Sequence, residues 1–316
     1  MKSQRIAVAG GTGGIGQHVV DGLLEVKEKY SLHIIVLSRS ASADLSFAGS
    51  SAPVIAVDYS DSTSIEKVLR ENQIDTVLST LSSHDPETFM TIQSNLLTAA
   101  LNVPSVHRFS PSEYTHDSEA LAESIPFLST KVAIYEPLRK VKAERGSSFE
   151  FTSFQTGAFM NYFALGNPKP DGAKALGHLA PFPFVLDLKN RKADIPGDGQ
   201  RRMVFTAAED AGKFIAAVTQ LDKWEERSIM KSDWLTFNEI VDMAKDLVGP
   251  IDVQYNTLED ITARIGGSPP SMANLYLFIY QAIIKGDYEQ KRPFNVNDSV
   301  DVKPISMKEF LTKWWA

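Results

Sequence analysis

Short apolar runs recur through the first half of the chain, at Ile6 to Ala9, His33 to Leu37, Val54 to Val57, Thr76 to Leu81, Val106 to Phe109 and Phe149 to Phe154. They are nearly continuous in apolar residues rather than alternating, which is the pattern of strands covered on both faces. The segments between them carry helical spacing and predict helices over Gly14 to about Lys27, Ser62 to Glu71, Pro86 to Leu101 and Lys131 to Glu144. Asp61 or Ser62 can cap the second of these, and Pro86 suits the first turn of the third. Strands and helices that alternate through right-handed crossovers predict an α/β fold with a doubly wound parallel sheet, whose carboxyl strand ends form a ligand crevice.

From about Thr156 the pattern changes. Asn167 to Leu179 is rich in Gly, Pro and Lys, and Pro181 to Phe184 alternates proline with phenylalanine. A helical stretch from Ala207 to Leu221 is expected to return to the sheet. Thr236 to Val248, Leu258 to Ile265, Ser271 to Lys285 and Ser306 to Trp315 then predict a smaller, mainly helical part, with Gly266 to Pro270 as its clearest loop. The expected division is a sheet-bearing half over residues 1–155, rejoined by about 200–230, and a substrate-binding half over 156–316.

The end of the first run gives the sheet a purpose. Gly10-Gly11-Thr12-Gly13-Gly14-Ile15-Gly16 spaces glycines G-x-x-G-x-x-G between a strand and a helix, the fingerprint of a Rossmann dinucleotide site. Gly10 permits the sharp turn, Gly13 lets the main chain approach the phosphates, and Gly16 lets the helix pack on the strand. Thr12, Gly14 and Ile15 complete a loop whose amides face an anion at the positive end of the helix. NAD-selecting sites place an acid at the end of the second strand, yet Val36 to Ser40 contains none. Arg39 stands there instead, flanked by the hydroxyls of Ser38 and Ser40, and its guanidinium suits a 2′-phosphate, so NADP(H) is the expected cofactor. By topology Asp58 and Tyr59 fall near the adenine, while Thr80, Leu81, Ser82, Phe154 and Gln155 fall at strand ends near the nicotinamide side.

Composition narrows the class without changing it. The chain has 316 residues, 43% of them hydrophobic and 22% charged, an ordinary globular balance. It has no cysteine, which removes disulfides, thiolate metal sites and cysteine nucleophiles and fits a reducing, cytoplasmic setting. A formal charge of −7 gives no reason to expect nucleic acid, and no apolar run is long enough to suggest a membrane partner. The histidines His18, His33, His84, His107, His116 and His178 show no metal-ligand spacing, so no metal is expected. No G-x-S-x-G elbow is present.

The fifth run leads into Arg108-Phe109-Ser110-Pro111-Ser112-Glu113-Tyr114, and Lys131 follows at the start of a predicted helix. In a Tyr-x-x-x-Lys pairing the tyrosine position here is Phe127, which has no exchangeable proton. Proton transfer then falls to Lys131, Ser112, Tyr114, water or the substrate. His84, Gly157, Phe159, Met160, Tyr162 and Phe163 are candidates to line an apolar substrate cleft, with Phe182, Phe184, Met272 and Tyr276 more distant.

GGTGGIG, Arg39, FSPSEYTHD at Phe109 to Asp117, Lys131, GAFMNYF at Gly157 to Phe163 and PGDGQRRMVFTAAEDAGKF at Pro196 to Phe214 follow one another in an order that resembles the isoflavone reductase-like and NmrA-like branch of atypical short-chain dehydrogenases/reductases. The resemblance spans nearly the whole chain and implies an NADPH-binding fold, with the lysine at position 131 as the catalytic residue. Where plant reductases of this kind continue PSEF with glycine, this chain continues Tyr114 with Thr115-His116, so substrate packing there is expected to differ. The implied activity is hydride transfer from NADPH to a polarised C=C, C=O or C=N of a small apolar substrate, aromatic or of secondary metabolism. The same resemblance leaves open an NmrA-like dinucleotide-sensing regulator without turnover, and a cyclase or condensation enzyme that retains NADP. The apolar C-terminal helices leave room for a homodimer.

Overall fold

In the computed structural model, residues 1–271 and 273–316 are described; Met272 lies outside them. The central sheet is built from β1 (Arg5–Ala9), β2 (His33–Ser38), β3 (Ser42–Phe47), β4 (Ser50–Ala56), β5 (Thr76–Ser79), β6 (Arg108–Ser110) and β7 (Glu150–Phe151), in the order β3-β4-β2-β1-β5-β6-β7. All pairs are parallel except β3 with β4. The reversal of strand order beside β1 places a crevice at the carboxyl ends of β1 and β5.

β3 has no counterpart in the apolar pattern, because it lies at the sheet edge with most of its side chains exposed. Its turn is local chemistry: Ala48 and Gly49 both take positive φ, at 51° and 81°, the conformation a tight hairpin requires. The sixth apolar run divides. Glu150 and Phe151 extend the central sheet, whereas Ser153–Gln155 leaves it and pairs in parallel with Arg227–Ile229. The helix predicted from Lys131 to Glu144 also divides, into Ser129–Val132 and Tyr135–Arg145.

One face of the sheet is covered by helices Ser62–Glu71, Pro86–Asn102 and Tyr135–Arg145, and the other by Gly14–Glu25 and Ala208–Val218. Asp61 caps the first of these through the amide of Thr63, and Asp85 caps the second ahead of Pro86. The last two helices cross very closely. A Cβ on Gly22 would lie 2.3 Å from the carbonyl oxygen of Gly212, and one on Gly212 would lie 2.1 Å from that of His18. The helix expected to return to the sheet thus does so backbone against backbone. Arg108, fully buried, adds a second tie: it pairs with Glu150 at 2.8 Å, donates to the carbonyls of Thr219 and Leu221 and stacks on Trp224.

The remainder forms a separate apolar cluster around Phe163, Phe184, Phe205, Phe237, Tyr280 and Trp314. Besides its helices it carries two three-stranded sheets, one of Leu186–Asp187, Lys192–Pro196 and Asp252–Asn256, the other of Ala158–Phe159, Arg202–Thr206 and Asp233–Thr236. Helices Phe237–Val248 and Met307–Trp315 start one residue later than the pattern predicts, because Thr236 and Ser306 serve as capping-box residues with Glu239 and Glu309. Leu258–Ile265 forms over the predicted span, while the next helix begins at Leu275, after Ser271 and Asn274 close a turn.

Candidate active site

The glycine loop opens the crevice. Gly10 takes φ of 80°, and a Cβ on Gly16 would lie 2.4 Å from both the Gly10 carbonyl oxygen and Thr80 Oγ1. A Cβ at Gly13 or Gly14 would meet nothing within 4 Å, so the loop is tight beneath and open above. Thr12 and Gly13 are exposed, Ile15 is half-buried, and the helix that starts at Gly14 has neither a side-chain cap nor an acid in its first turn. Its leading amides are left to an anion, so these residues fit a diphosphate.

Tyr59 and Thr80 take different parts from those expected of them. The Tyr59 hydroxyl accepts from the amide of Gly10 at 3.2 Å and donates to the Leu37 carbonyl at 2.8 Å, and Thr80 Oγ1 donates to the Ala9 carbonyl at 2.8 Å. Both hydroxyls brace the loop from within the fold. Leu81 is buried beside Thr80, while Ser82 and His84 are exposed on the following loop.

Arg39, exposed, forms one wall of a groove of about 570 Å³ with Val57, Asp58, Tyr59, Ser60, Ser64 and Ile92. No ion pair or hydrogen bond engages its guanidinium among the described residues. Ser38 is half-buried and Ser40 exposed beside it. Asp58 holds Ser60 through its side-chain hydroxyl and its amide, and those bonds keep the Asp58 carboxyl below its ordinary pKa. The groove therefore pairs a free cation with a carboxylate turned into its own turn.

At the other end, Lys131 reaches back to the Pro111–Tyr114 loop. Its ammonium donates to the carbonyls of Ser112, at 2.7 Å, and Glu113, at 2.8 Å, and lies 5.7 Å from the centre of the Phe89 ring. Burial pulls its pKa below the lysine norm, against the opposing pull of Glu113. Ser112 is buried close by and contributes its carbonyl to this contact. Phe127 sits on the preceding turn, packed against the second apolar cluster.

Tyr114 is buried in left-handed backbone conformation, φ 51°, stacked on Phe154, with its hydroxyl unpartnered. Burial drives its pKa up, so it is a neutral phenol and no ready base. Gln155, at the carboxyl end of its strand, is 3% exposed, and its amide has no partner at either end. An orphaned amide at a strand's carboxyl end fits a polar ligand group.

The aromatic candidates separate. Phe159, Tyr162 and Phe182 form an edge-to-face chain, and Phe159 and Tyr162 share an apolar cluster with Ile15 of the glycine loop and Tyr114. Met160 and Phe163 instead belong to the second core, fully covered, with Phe163 packed on Phe184 and Phe205. Tyr162, on the same short helical turn Met160–Ala164, is partly buried and packs against both clusters. Gly157 is also structural: a Cβ there would lie 2.2 Å from the Val204 carbonyl oxygen. Tyr276 accepts from Arg264 and packs on Tyr280, in the layer of Leu258–Ile265 and Leu275–Lys285 rather than at the glycine loop.

Sequence reading overlooked Glu113 and Tyr135. Glu113 is 2% exposed; its carboxylate accepts from the Ser118 amide and hydroxyl and, at 2.6 Å, from the Tyr135 hydroxyl. The polar run Ser110 to Asp117 gave no signal that Glu113 is buried. The histidine spacing likewise concealed a cluster in which ligand atoms of His18, Asp21 and His178 lie within 4.8 Å of one another. Its lone pairs are in use: His18 Nε2 accepts from the His178 amide, and His178 Nε2 meets Asp21 at 2.8 Å. Burial lowers the His18 pKa to about 4.

A glycine loop open to an anion, an arginine at the end of the second strand and a lysine at the far end define a Rossmann-type dinucleotide-binding α/β protein. Its sequence makes the class specific: residues 2–312 match the NmrA-like family, and the chain belongs to it. It is 34% identical to "Oxidoreductase BOA1" of Botryotinia fuckeliana over 248 residues, covering 78% of this chain and 76% of that protein. It is 26% identical to "Phenylcoumaran benzylic ether reductase PT1" of Pinus taeda, with 98% of each chain covered. A solved structure described as AtPrR2 with NADP+ and (+)pinoresinol superposes with a TM-score of 0.74 at 20% identity, covering 99% of each chain, and shares its fold.

Proposed function

We propose that this NmrA-like oxidoreductase is an NADPH-dependent reductase of small aromatic substrates, with Lys131 as its acid/base. The observation that carries the reading is the Lys131 ammonium, held by the Ser112 and Glu113 carbonyls on the loop that follows the carboxyl end of β6. The names of its relatives, an oxidoreductase and a benzylic ether reductase, support the same class.

NADPH, when bound, supplies a hydride at its nicotinamide carbon. The chain's own residues do the rest. Backbone amides between Gly11 and Ile15 would hold the diphosphate, and Arg39 with Ser38 and Ser40 would hold the 2′-phosphate. Gln155 offers its unpaired amide to a polar group. Tyr114, Phe159, Tyr162 and Phe182 present aromatic surface to the substrate and exclude water. Lys131 gives a proton to, or stabilises negative charge on, the atom next to the one reduced. The residues are divided accordingly into a cofactor half, 1–155 with about 200–230, and a substrate half over 156–316.

The test is NADPH oxidation with (+)-pinoresinol and a panel of aryl enones and benzylic ethers. Lys131→Met is expected to retain NADPH binding and to lose turnover by about 10²- to 10⁴-fold. Full turnover by that variant overturns the role of Lys131. Tight NADPH binding by the parent without oxidation of NADPH by any member of the panel favours a dinucleotide sensor.

A further inference from the structure

Lys131 reaches the crevice through a contact that is half backbone and half electrostatic, and the electrostatic half comes from a residue that does not face the ligand. Glu113 sits in the loop whose carbonyls receive the ammonium, so one residue supplies both an acceptor, its own carbonyl at 2.8 Å, and a buried charge behind it. The carboxylate is fixed at both oxygens. One accepts the amide and hydroxyl of Ser118, the other the phenol of Tyr135 at 2.6 Å. Donors reach both oxygens, an arrangement that favours the carboxylate form; burial pushes its pKa up, and these donors together with Lys131 oppose that push.

The surroundings offer Lys131 little else. Ser112 contributes an uncharged carbonyl and Phe89 an aromatic face. The charges beyond Tyr135 are Arg227 and Arg139, and both are committed to carboxylates, Arg227 to Asp117, Glu119 and Glu226 and Arg139 to Glu119 and Glu226. An ammonium in a poorly hydrated crevice discharges unless a counter-charge is near.

Building on the assignment of Lys131 as acid/base, we propose that Glu113, braced by Ser118 and Tyr135, is a positioning residue that keeps Lys131 charged and aimed into the crevice. Glu113 touches neither cofactor nor substrate. It acts through Lys131 alone, by charge and by the loop carbonyl it fixes. Ser129–Val132, a short helix separated by two residues from Tyr135–Arg145, gives the arrangement its geometry: the break lets Lys131 face the loop while Tyr135 reaches the carboxylate of the same residue, Glu113.

Competitive acetylation of the intact protein with acetic anhydride across an alkaline pH series, followed on the Lys131 peptide by mass spectrometry, reads the charge of Lys131 directly and needs no substrate. In Glu113→Gln the labelling of Lys131 near neutral pH is expected to rise about tenfold, the size expected for loss of a nearby opposite charge, while NADPH still quenches tryptophan fluorescence as in the parent. Glu113→Asp should recover part of the effect. Unchanged labelling in a Glu113→Gln protein that binds NADPH overturns the proposal. If that variant does not fold, Tyr135→Phe decides: removing one donor to the carboxylate should raise Lys131 labelling about threefold, and no change overturns the proposal equally. Because labelling is read without turnover, a Lys131→Met variant with full activity would remove the acid/base reading while leaving the charge coupling of Glu113 and Lys131 to be judged on its own.

Discussion

Arg39 and Tyr59 show how far a single residue can be read before its neighbours are known. Arg39 was legible because its argument is chemical: an acid is missing where a ribose diol would need one, and the guanidinium in its place makes no ion pair or hydrogen bond among the described residues. Arg39→Ala is expected to weaken NADPH binding by about 10- to 100-fold, the worth of charge-assisted hydrogen bonds, and to leave NADH binding almost unchanged. Fluorescence titration of both cofactors measures it, and an equal loss for the two would take the 2′-phosphate away from Arg39. Tyr59, expected near the adenine from its position after a strand, lines the groove of Arg39 while its hydroxyl turns under the glycine loop to Gly10 and Leu37, a bracing role that only its neighbours reveal. Thr80 is the same case, and Glu113 is the converse, a residue whose role appears only when Ser118, Tyr135 and Lys131 are brought to it.

Among elements, those with strong periodicity and local caps formed close to where the pattern predicts. Helices Ser62–Glu71 and Leu258–Ile265 are examples, each begun by a residue that accepts an amide in the first turn. Elements shaped by a partner were not legible. The edge strand Ser42–Phe47 buries little, and the run Phe149 to Phe154 divides because Arg227–Ile229 offers its second part another pairing. The crossing of Gly14–Glu25 with Ala208–Val218 belongs here too. Gly22 reads as an unremarkable helical glycine until Gly212 is laid against it. Gly22→Val should separate the two helices and lower stability by about 1–3 kcal/mol or more, the usual cost of overpacking, seen as a reduced urea midpoint. An unchanged midpoint would mean the crossing tolerates a side chain.

On the scale of the whole molecule, burial sets a pH dependence. His116, 5% exposed and packed edge-on to Tyr288, has its pKa lowered by burial from 6.5 to about 3. The folded chain keeps it neutral while the unfolded chain protonates it, so below about pH 6.5 unfolding takes up a proton and stability falls with pH until the folded value is reached. Glu113, its pKa raised, works in the opposite sense over the upper part of that range, so the comparison should be made against His116→Phe. The parent is expected to lose stability relative to that variant by up to about 1.4 kcal/mol per pH unit below neutrality; parallel urea-derived curves would show that His116 can be protonated in place. Order along the chain was enough to establish the layered α/β plan, the glycine loop, the strand-end arginine and the NmrA-like resemblance, because each depends on residues adjacent in sequence or on a repeating period. What required the tertiary structure was every contact between distant segments: the meeting of Lys131 with Ser112 and Glu113, the parting of Phe159 from Met160 and Phe163, and the latch of His18 with His178. Such contacts depend on which face of an element turns inward and on what another part of the chain places against it. That is settled by packing, which local periodicity does not encode.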